Sequence, residues 1–518
     1  MFASSFKIFD LLVIFFYFAA IGGMGYYFSR RPKTTSNYFL GGNHLPAWAI
    51  GLSMVATSIS SVTFIALPAA AYALDWRQLV PHLANPLVAI IAIWLLVPFF
   101  RKNAQTSAFE YIEKRFGTLA RLYTAFMFLL GQSIRLGSIL YLITIPVHLI
   151  TGISPFWIMA ITGGFVAMYT ILGGIEAVVW TDVVQALVLY FGGLVALYTM
   201  IQGIEGGFSG MVSVATEHHK FGLGPLHWDP SERTFWALLI VGVTQWTLGY
   251  TGDQNVIQRY LAAKNTKEAR KATILCAFLS LPTWAFFFLI GTALYVYYLQ
   301  NPDPAIANLQ SDAVMPQFII DKIPTGLSGL VIAGVLSAAM SSLSSSLNSF
   351  ATVATVDFVR PYFLKNRTDA YYAWVARALT LVASALMFLI AFAFTFIEKE
   401  SFFDLSMKIM GLLGGVVLSF FVLGIFAPKV QKKPLWQAFS VAIFLNFYLL
   451  GIELKWVDNY LPFSIHPYWV MALVNAVMIV LALILAIFQQ PKKPTPDSLS
   501  IFGRQTNNPL PTSPIHRE

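Results

Sequence analysis

The sequence predicts an all-α membrane protein of roughly 13 transmembrane helices, and three observations predict it. Only 11% of the 518 residues are charged while 57% are hydrophobic; soluble domains carry about 25% charged residues. Apolar runs of about 20 residues, enough to cross a bilayer, recur along the whole chain. Two of these runs, five apart in order, are interrupted by polar residues, the pattern of two inverted five-helix halves.

The spans fall at roughly 8–28, 48–72, 79–100, 119–149, 155–172, 178–203, 234–254, 272–298, 324–352, 373–396, 404–427, 434–452 and 466–488, and are numbered 0 to 12. Span 0 is longer than the apolar region of a secretory signal, and its basic flank "SRRPK" follows it. It reads as an anchor with the N-terminus outside. Alternation from there puts 24 of the 33 basic residues in inside segments and seven outside, with Arg135 and Lys408 inside spans. Arg259 counts among the inside residues. That asymmetry is the positive-inside signature, and it places the C-terminus in the cytoplasm. The organisation expected is an anchor and first loop (1–47), a first repeat of spans 1–5 (48–203), an inverted second repeat of spans 6–10 (204–427), two added helices (428–488) and a Pro-rich disordered tail (489–518).

Composition and motifs exclude several classes. The net charge of +9 follows from topology rather than nucleic-acid affinity. The one cysteine, Cys276, permits no intrachain disulfide and is expected to pack. There is no phosphate loop, dinucleotide fingerprint or metal-spaced His/Cys cluster, so no organic cofactor is expected. Most histidines lie in loops, without the constellation of an enzyme.

Chemistry concentrates where the apolar spans break pattern. Span 1, "MVATSISSVTFIALPAAAY", carries Thr57, Ser58, Ser60, Ser61 and Thr63 in its middle, with Pro68 beyond. A break there frees carbonyls that lipid cannot satisfy, so protein, water or an ion must; small-residue packing is the alternative. Span 6, "TQWTLGYTGDQN", is weakened at Gln245, Thr247, Gly249, Thr251 and Gly252. Span 8 holds "SAAMSSLSSSLNS". At helical spacing Ser341, Ser344 and Ser345 share a face with Ala338 and Asn348, and Ser342, Ser346 and Ser349 lie on the next. Hydroxyls can bond back to their own helix, but so many together suit a small hard cation such as sodium. A divalent ion would need more carboxylates.

Asp182 lies within span 5, where a carboxylate is costly and points to function. Spans 5 and 8 run in opposite directions, so Asp182 and Ser344/Ser345 both fall in the inner half. Arg135 stands 14 residues past Arg121 in span 3, about 21 Å along the helix and too deep to snorkel. It serves either an internal salt bridge or a substrate anion, which a guanidinium binds through two parallel hydrogen bonds. Lys408, near the outer end of span 10, can snorkel.

Several stretches then resemble the sodium:solute symporter family, closest in motif to bacterial sialic acid transporters and other anion-transporting members. They are "NYFLGGNHLPAWAIGLSMVATSISSVTFIALPAAAY", "TSAFEYIEKRFG", "GGIEAVVWTDVVQ", "GDQNVIQRYLAAKN" and "AAMSSLSSSLNS", in the family's order, with "MGLLGG…LGIF" in span 10. The resemblance implies a LeuT-like 5+5 inverted repeat with broken helices 1 and 6, working by alternating access. It implies one sodium site from carbonyls of Ala56, Ile59 and Ala338 with hydroxyls of Ser341 and Ser342. A second sodium pattern falls on Asp182, Ser341, Ser344 and Ser345, so two ions per cycle are expected. The substrate set implied is Ser58, Ser60, Ser61, Thr63, His82 and Arg135, where Ser58 and His82 depart from the expected threonine and glutamine.

The function implied is sodium-coupled import of a carboxylate-bearing solute such as sialic acid, by a monomer in the bacterial inner membrane. A neutral sugar (glucose or galactose) is the alternative within the class. A membrane sensor is the alternative outside it, and the tail of roughly 30 residues leaves no room for a signalling kinase.

Overall fold

The computed structural model describes residues 8–30, 34–60, 62–103, 106–229, 231–396, 415–453, 456–458, 466–489 and 499–501. In chain order the helices are α1 (Ile8–Ser29), α2 (Thr35–Leu40), α3 (Ala47–Ser58), α4 (Leu67–Ala73), α5 (Val80–Ile91), α6 (Val97–Asn103), α7 (Phe109–Phe116), α8 (Thr118–Thr151), α9 (Pro155–Gln202) and α10 (Gly207–Glu217). They continue as α11 (Phe235–Gly252), α12 (Gln254–Ala262), α13 (Thr266–Gln300), α14 (Pro304–Ala307), α15 (Ser311–Lys322), α16 (Leu327–Val353), α17 (Asp369–Phe394), α18 (Val417–Phe426), α19 (Lys432–Glu453) and α20 (Val470–Phe488).

Among the described residues nine helices are long and apolar enough to cross a membrane, and α3 with Thr63–Ala73 forms a further span bent by 64°. α9 is too long for one crossing: 48 residues rise roughly 72 Å, against a hydrocarbon core of about 30 Å. It is two spans meeting at Gly174, whose φ of 61° is left-handed. A Cβ there would lie 2.7 Å from the Tyr38 carbonyl oxygen, so the turn admits only glycine. Of expected span 10, α18 lies among the described residues; Lys408 lies outside them.

The two broken spans differ. α3 stops at Ser58, Ile59 is extended (φ −96°, ψ 125°), and a π-helical turn leads into α4 with Pro68 in its first turn. Span 6 does not break where its polar run predicted. Thr247 and Thr251 donate back to the carbonyls of Val243 and Thr247, both at 2.6 Å, and α11 continues through them. The break comes at Asp253, which is extended and caps α12 by accepting from the Asn255 backbone N–H at 2.8 Å. The span thus continues inward as α12, which brings Arg259 into the protein.

α16 is the centre of the molecule. Every residue from Val331 to Asp357 is buried, and the helix packs against α9, α8, α1, α17, α3 and α12. The serine-rich helix meets protein on all sides rather than lipid. Its N-terminus is held by Asp10 of α1, which accepts from Gly326 N at 2.8 Å, Gly329 N at 2.7 Å and Ser328 Oγ at 2.6 Å. A buried carboxylate suits the unpaired N–H groups and positive end of that helix.

Close helix contacts use small residues. A Cβ on Gly291 of α13 would stand 2.2 Å from the carbonyl oxygen of Pro68 in α4. Gly291→Ala is therefore expected to push α4 off α13 and to cost about 1–3 kcal/mol, read as a lower thermal midpoint of the detergent-purified protein.

From the expected tail the structure describes Gln489 and residues 499–501. Tyr111 Oη donates to the Leu499 carbonyl at 3.0 Å, and Ile501 N donates to Ile425 O at 3.2 Å, so this short piece docks on α7 and the end of α18.

Candidate functional site

The break in span 1 and the serines of α16 face each other. Ser342 Oγ lies 2.8 Å from the Ile59 carbonyl and 3.1 Å from that of Thr57. The Ala56 carbonyl accepts from Ile59 N at 3.2 Å. Ala56, Ile59, Ala338, Ser341 and Ser342 are all buried. The break thus presents carbonyl oxygens to serine hydroxyls away from lipid, a donor set of neutral oxygens.

Asp182, fully buried in α9, stands beside this cluster. Its Oδ1 accepts from Ser341 Oγ at 2.7 Å. Its Oδ2 accepts from Ser53 Oγ at 2.5 Å and Arg259 Nη2 at 3.0 Å, with Thr57 Oγ1 at 3.4 Å and Ser345 Oγ at 3.5 Å. Ser341 and Ser345 therefore meet Asp182 as the sequence led one to expect. Ser344 instead turns its hydroxyl to the Ser341 carbonyl at 3.1 Å. Ser341 and Ser342, adjacent on α16, join the two clusters: one bonds the carboxylate, the other the broken helix.

Two members of this network, Ser53 and Arg259, are not singled out for the site by the sequence, and Thr57 stands out there only as part of the polar middle of span 1. Ser53 and Thr57 are one helical turn apart on α3, a spacing that could have signalled a shared polar face. Arg259 was assigned to an inside loop and is instead buried to 1% exposure. Its position just past a broken span was the available signal.

Arg135 sits near the middle of α8, at the meeting of both broken spans. Its Nη2 donates to the Thr57 carbonyl at 3.3 Å, and its Nη1 lies 3.8 Å from Asp253 Oδ2. The guanidinium side chain keeps 27% exposure. The internal pair with Asp253 is thus long and leaves N–H donors of the fork for another acceptor.

The remaining substrate candidates divide. Thr63 Oγ1 accepts from Ser60 N at 3.2 Å and Ser58 Oγ donates to Val55 O at 2.7 Å, so both hydroxyls engage the break itself. Ser60 is half-buried beside them, and Ser61 lies outside the described residues. His82 of α5 stacks on Trp284 with ring centroids 4.1 Å apart, and Trp246 lies 6.2 Å away. The sequence reading missed both tryptophans, which give spans 2, 6 and 7 a common aromatic wall. Cys276 is buried, with Ser280 its sulfur contact at 3.7 Å.

The model of the sodium:solute symporter family matches residues 38–438. The chain belongs to the sodium:solute symporter family. It is therefore a multi-pass membrane symporter that couples solute movement to sodium, not an enzyme. It is 35% identical over 462 residues to the sodium/sialic acid symporter NanT of Aliivibrio fischeri, covering 87% of this chain and 91% of the relative. It is 33% identical over 451 residues to the sodium/sialic acid symporter SiaT of Proteus mirabilis, covering 85% and 91%. Among solved structures it resembles a sodium-coupled sialic acid symporter, substrate-bound and outward-open, described as revealing a novel sodium site. That match has a TM-score of 0.85 at 31% identity and covers 94% of this chain and 99% of the neighbour. The architecture is the LeuT-like inverted repeat with broken spans 1 and 6.

Proposed function

We propose that this symporter imports a carboxylate-bearing sugar acid of the sialic acid class with two sodium ions per cycle. One observation carries the substrate half: Arg135 stands between the two broken spans with part of its fork uncommitted. A guanidinium there binds a carboxylate through parallel hydrogen bonds. The sialic acid symporters among its relatives support the same class. Ser58, Ser60, Ser61, Thr63 and His82 complete the substrate set.

The first sodium site uses the carbonyls of Ala56, Ile59 and Ala338 with the hydroxyls of Ser341 and Ser342. The second uses Asp182, Ser341, Ser344 and Ser345. Sodium at the first site holds the broken helix to α16; substrate then binds the loaded form better and, by linkage, raises sodium affinity in return. Parting of α16 from α3 at the inner side releases the ion. One chain is the transport unit, with its N-terminus outside and its C-terminus in the cytoplasm of a bacterial inner membrane.

The stoichiometry has an energetic reason. A tenfold sodium gradient supplies ~1.4 kcal/mol per ion, and one net charge moving through 100 mV supplies ~2.3 kcal/mol. Two sodium ions with a monoanion supply roughly 5 kcal/mol, which supports accumulation on the order of 10³-fold. One sodium with a monoanion is electroneutral and supplies only the ~1.4.

Sodium-dependent uptake of labelled sialic acid, glucose, galactose, pyruvate and proline into proteoliposomes tests the substrate class. Sialic acid is expected to be accumulated; accumulation of glucose or galactose alone would reverse the assignment. For the first ion site, Ser342→Ala removes the hydroxyl at the helix break. It is expected to raise the sodium concentration for half-maximal uptake by about tenfold, and an unchanged sodium dependence removes Ser342 from the site.

A further inference from the structure

Arg259 has no place in the scheme so far, yet it occupies the middle of it. The side chain is 2% exposed and Asp182 is 0% exposed. Its Nη2 lies 2.7 Å from Thr57 Oγ1, 2.7 Å from Ser345 Oγ and 3.0 Å from Asp182 Oδ2, while Nε donates to Ser53 Oγ at 2.9 Å. One nitrogen carrying two hydrogens thus sits among three oxygens, two of which belong to the proposed second sodium site. One carboxylate neutralises one cation. A sodium ion at Asp182 with the guanidinium still in place would leave a net buried positive charge, which is strongly unfavourable.

The helix that carries Arg259 is gripped at both functional centres. Asp253, its cap, faces Arg135 at 3.8 Å, and Arg259 follows six residues later. At its far end Arg101 Nη1 donates to the carbonyls of Tyr260 at 2.5 Å and Ala263 at 2.9 Å. α12 is therefore a short rod whose two acidic and basic handles meet the substrate arginine and the sodium carboxylate.

We infer that Arg259 is a tethered cation that holds Asp182 when the second sodium is absent and is displaced when that ion binds, so that α12 carries sodium occupancy to Arg135. The inference rests on the reading of Asp182 as a sodium ligand. In this role Arg259 is a positioning residue: it competes with sodium and reports the exchange through its helix. Arg135 then trades Asp253 for the substrate carboxylate as Asp182 trades Arg259 for sodium, and each exchange releases one tie on the same rod.

Sodium titrations of substrate binding to the full-length purified protein, with transport ratios in proteoliposomes, test this. Arg259→Gln removes the competitor. The sodium concentration for half-saturation is expected to fall about tenfold, and substrate exchange is expected to proceed at sodium concentrations that leave the parent protein idle. A half-saturation equal to or above the parent's in folded Arg259→Gln overturns the inference, since a merely structural arginine leaves sodium affinity unchanged or weaker. Arg259→Lys keeps the charge at a shorter reach and with no planar fork. It is expected to lie between the two proteins, and if Arg259→Gln is not recovered folded, a lysine variant at or above the parent value is equally decisive. Asp182→Asn in the same assay separates the two readings. A ratio that stays at two removes the sodium site itself, whereas a reduced ratio with an unshifted Arg259→Gln removes only the competition.

Discussion

Asp182→Asn is expected to lower the sodium-to-substrate ratio in proteoliposomes from about two to about one. The carboxylate is fully buried and accepts from Ser341, Ser53 and Arg259. An amide keeps the shape and loses the charge, and with it the electrostatic attraction for a desolvated cation. For a monoanionic cargo the loss is large, because the remaining ion only balances the substrate's charge. Accumulation is expected to fall from the order of 10³-fold to roughly tenfold at a tenfold sodium gradient and 100 mV. The variant also leaves Arg259 without its counter-charge, which costs about 3–5 kcal/mol of stability. The double variant Asp182→Asn/Arg259→Gln leaves neither charge alone and is the cleaner protein for the ratio. Dual-label measurement of sodium and substrate flux decides it, and a ratio held at two excludes Asp182 as a ligand.

Arg135→Ala is expected to reduce uptake of the carboxylate substrate by about 10–150-fold, the effect of losing a charge-assisted hydrogen-bonded partner worth about 1.5–3 kcal/mol. A neutral analogue lacking the carboxylate, already poorly bound, is expected to change by less than about threefold. The contrast matters more than either number. The arginine also touches the Thr57 carbonyl and faces Asp253, so a purely structural role would depress both substrates together. Equal losses for the acid and its neutral analogue would assign Arg135 to holding the broken spans rather than to recognition.

Much of this was legible in the sequence because it depends on residues near one another along the chain. Lipid rewards an unbroken apolar run, and such runs marked the nine membrane-length helices of the described residues, including the two passes joined at Gly174. The hydroxyls and Pro68 of span 1 foretold the break at Ser58–Ile59. Asp182, Ser341 and Ser342 stood out because polar groups inside an apolar helix need a partner. Span 6 shows the limit of that logic. Its threonines satisfied themselves on their own helix, and the break moved to Asp253, where a side-chain cap stabilises a fresh helix start.

The sequence by itself determined a sodium-coupled membrane architecture, the first broken helix, and the serine helix with its nearby carboxylate. Only the tertiary structure decided that α16 lies buried on every side, that Asp10 caps it from α1, and that Arg259 crosses 77 positions of sequence to reach Asp182. The physical reason is the range of the forces. Partition into lipid and helix capping act within a turn or a span, whereas a buried charge finds its counter-charge only through the packing of helices far apart in the chain. An arginine just beyond an apolar run reads as a cytoplasmic anchor until α12 folds inward and places it beside Asp182.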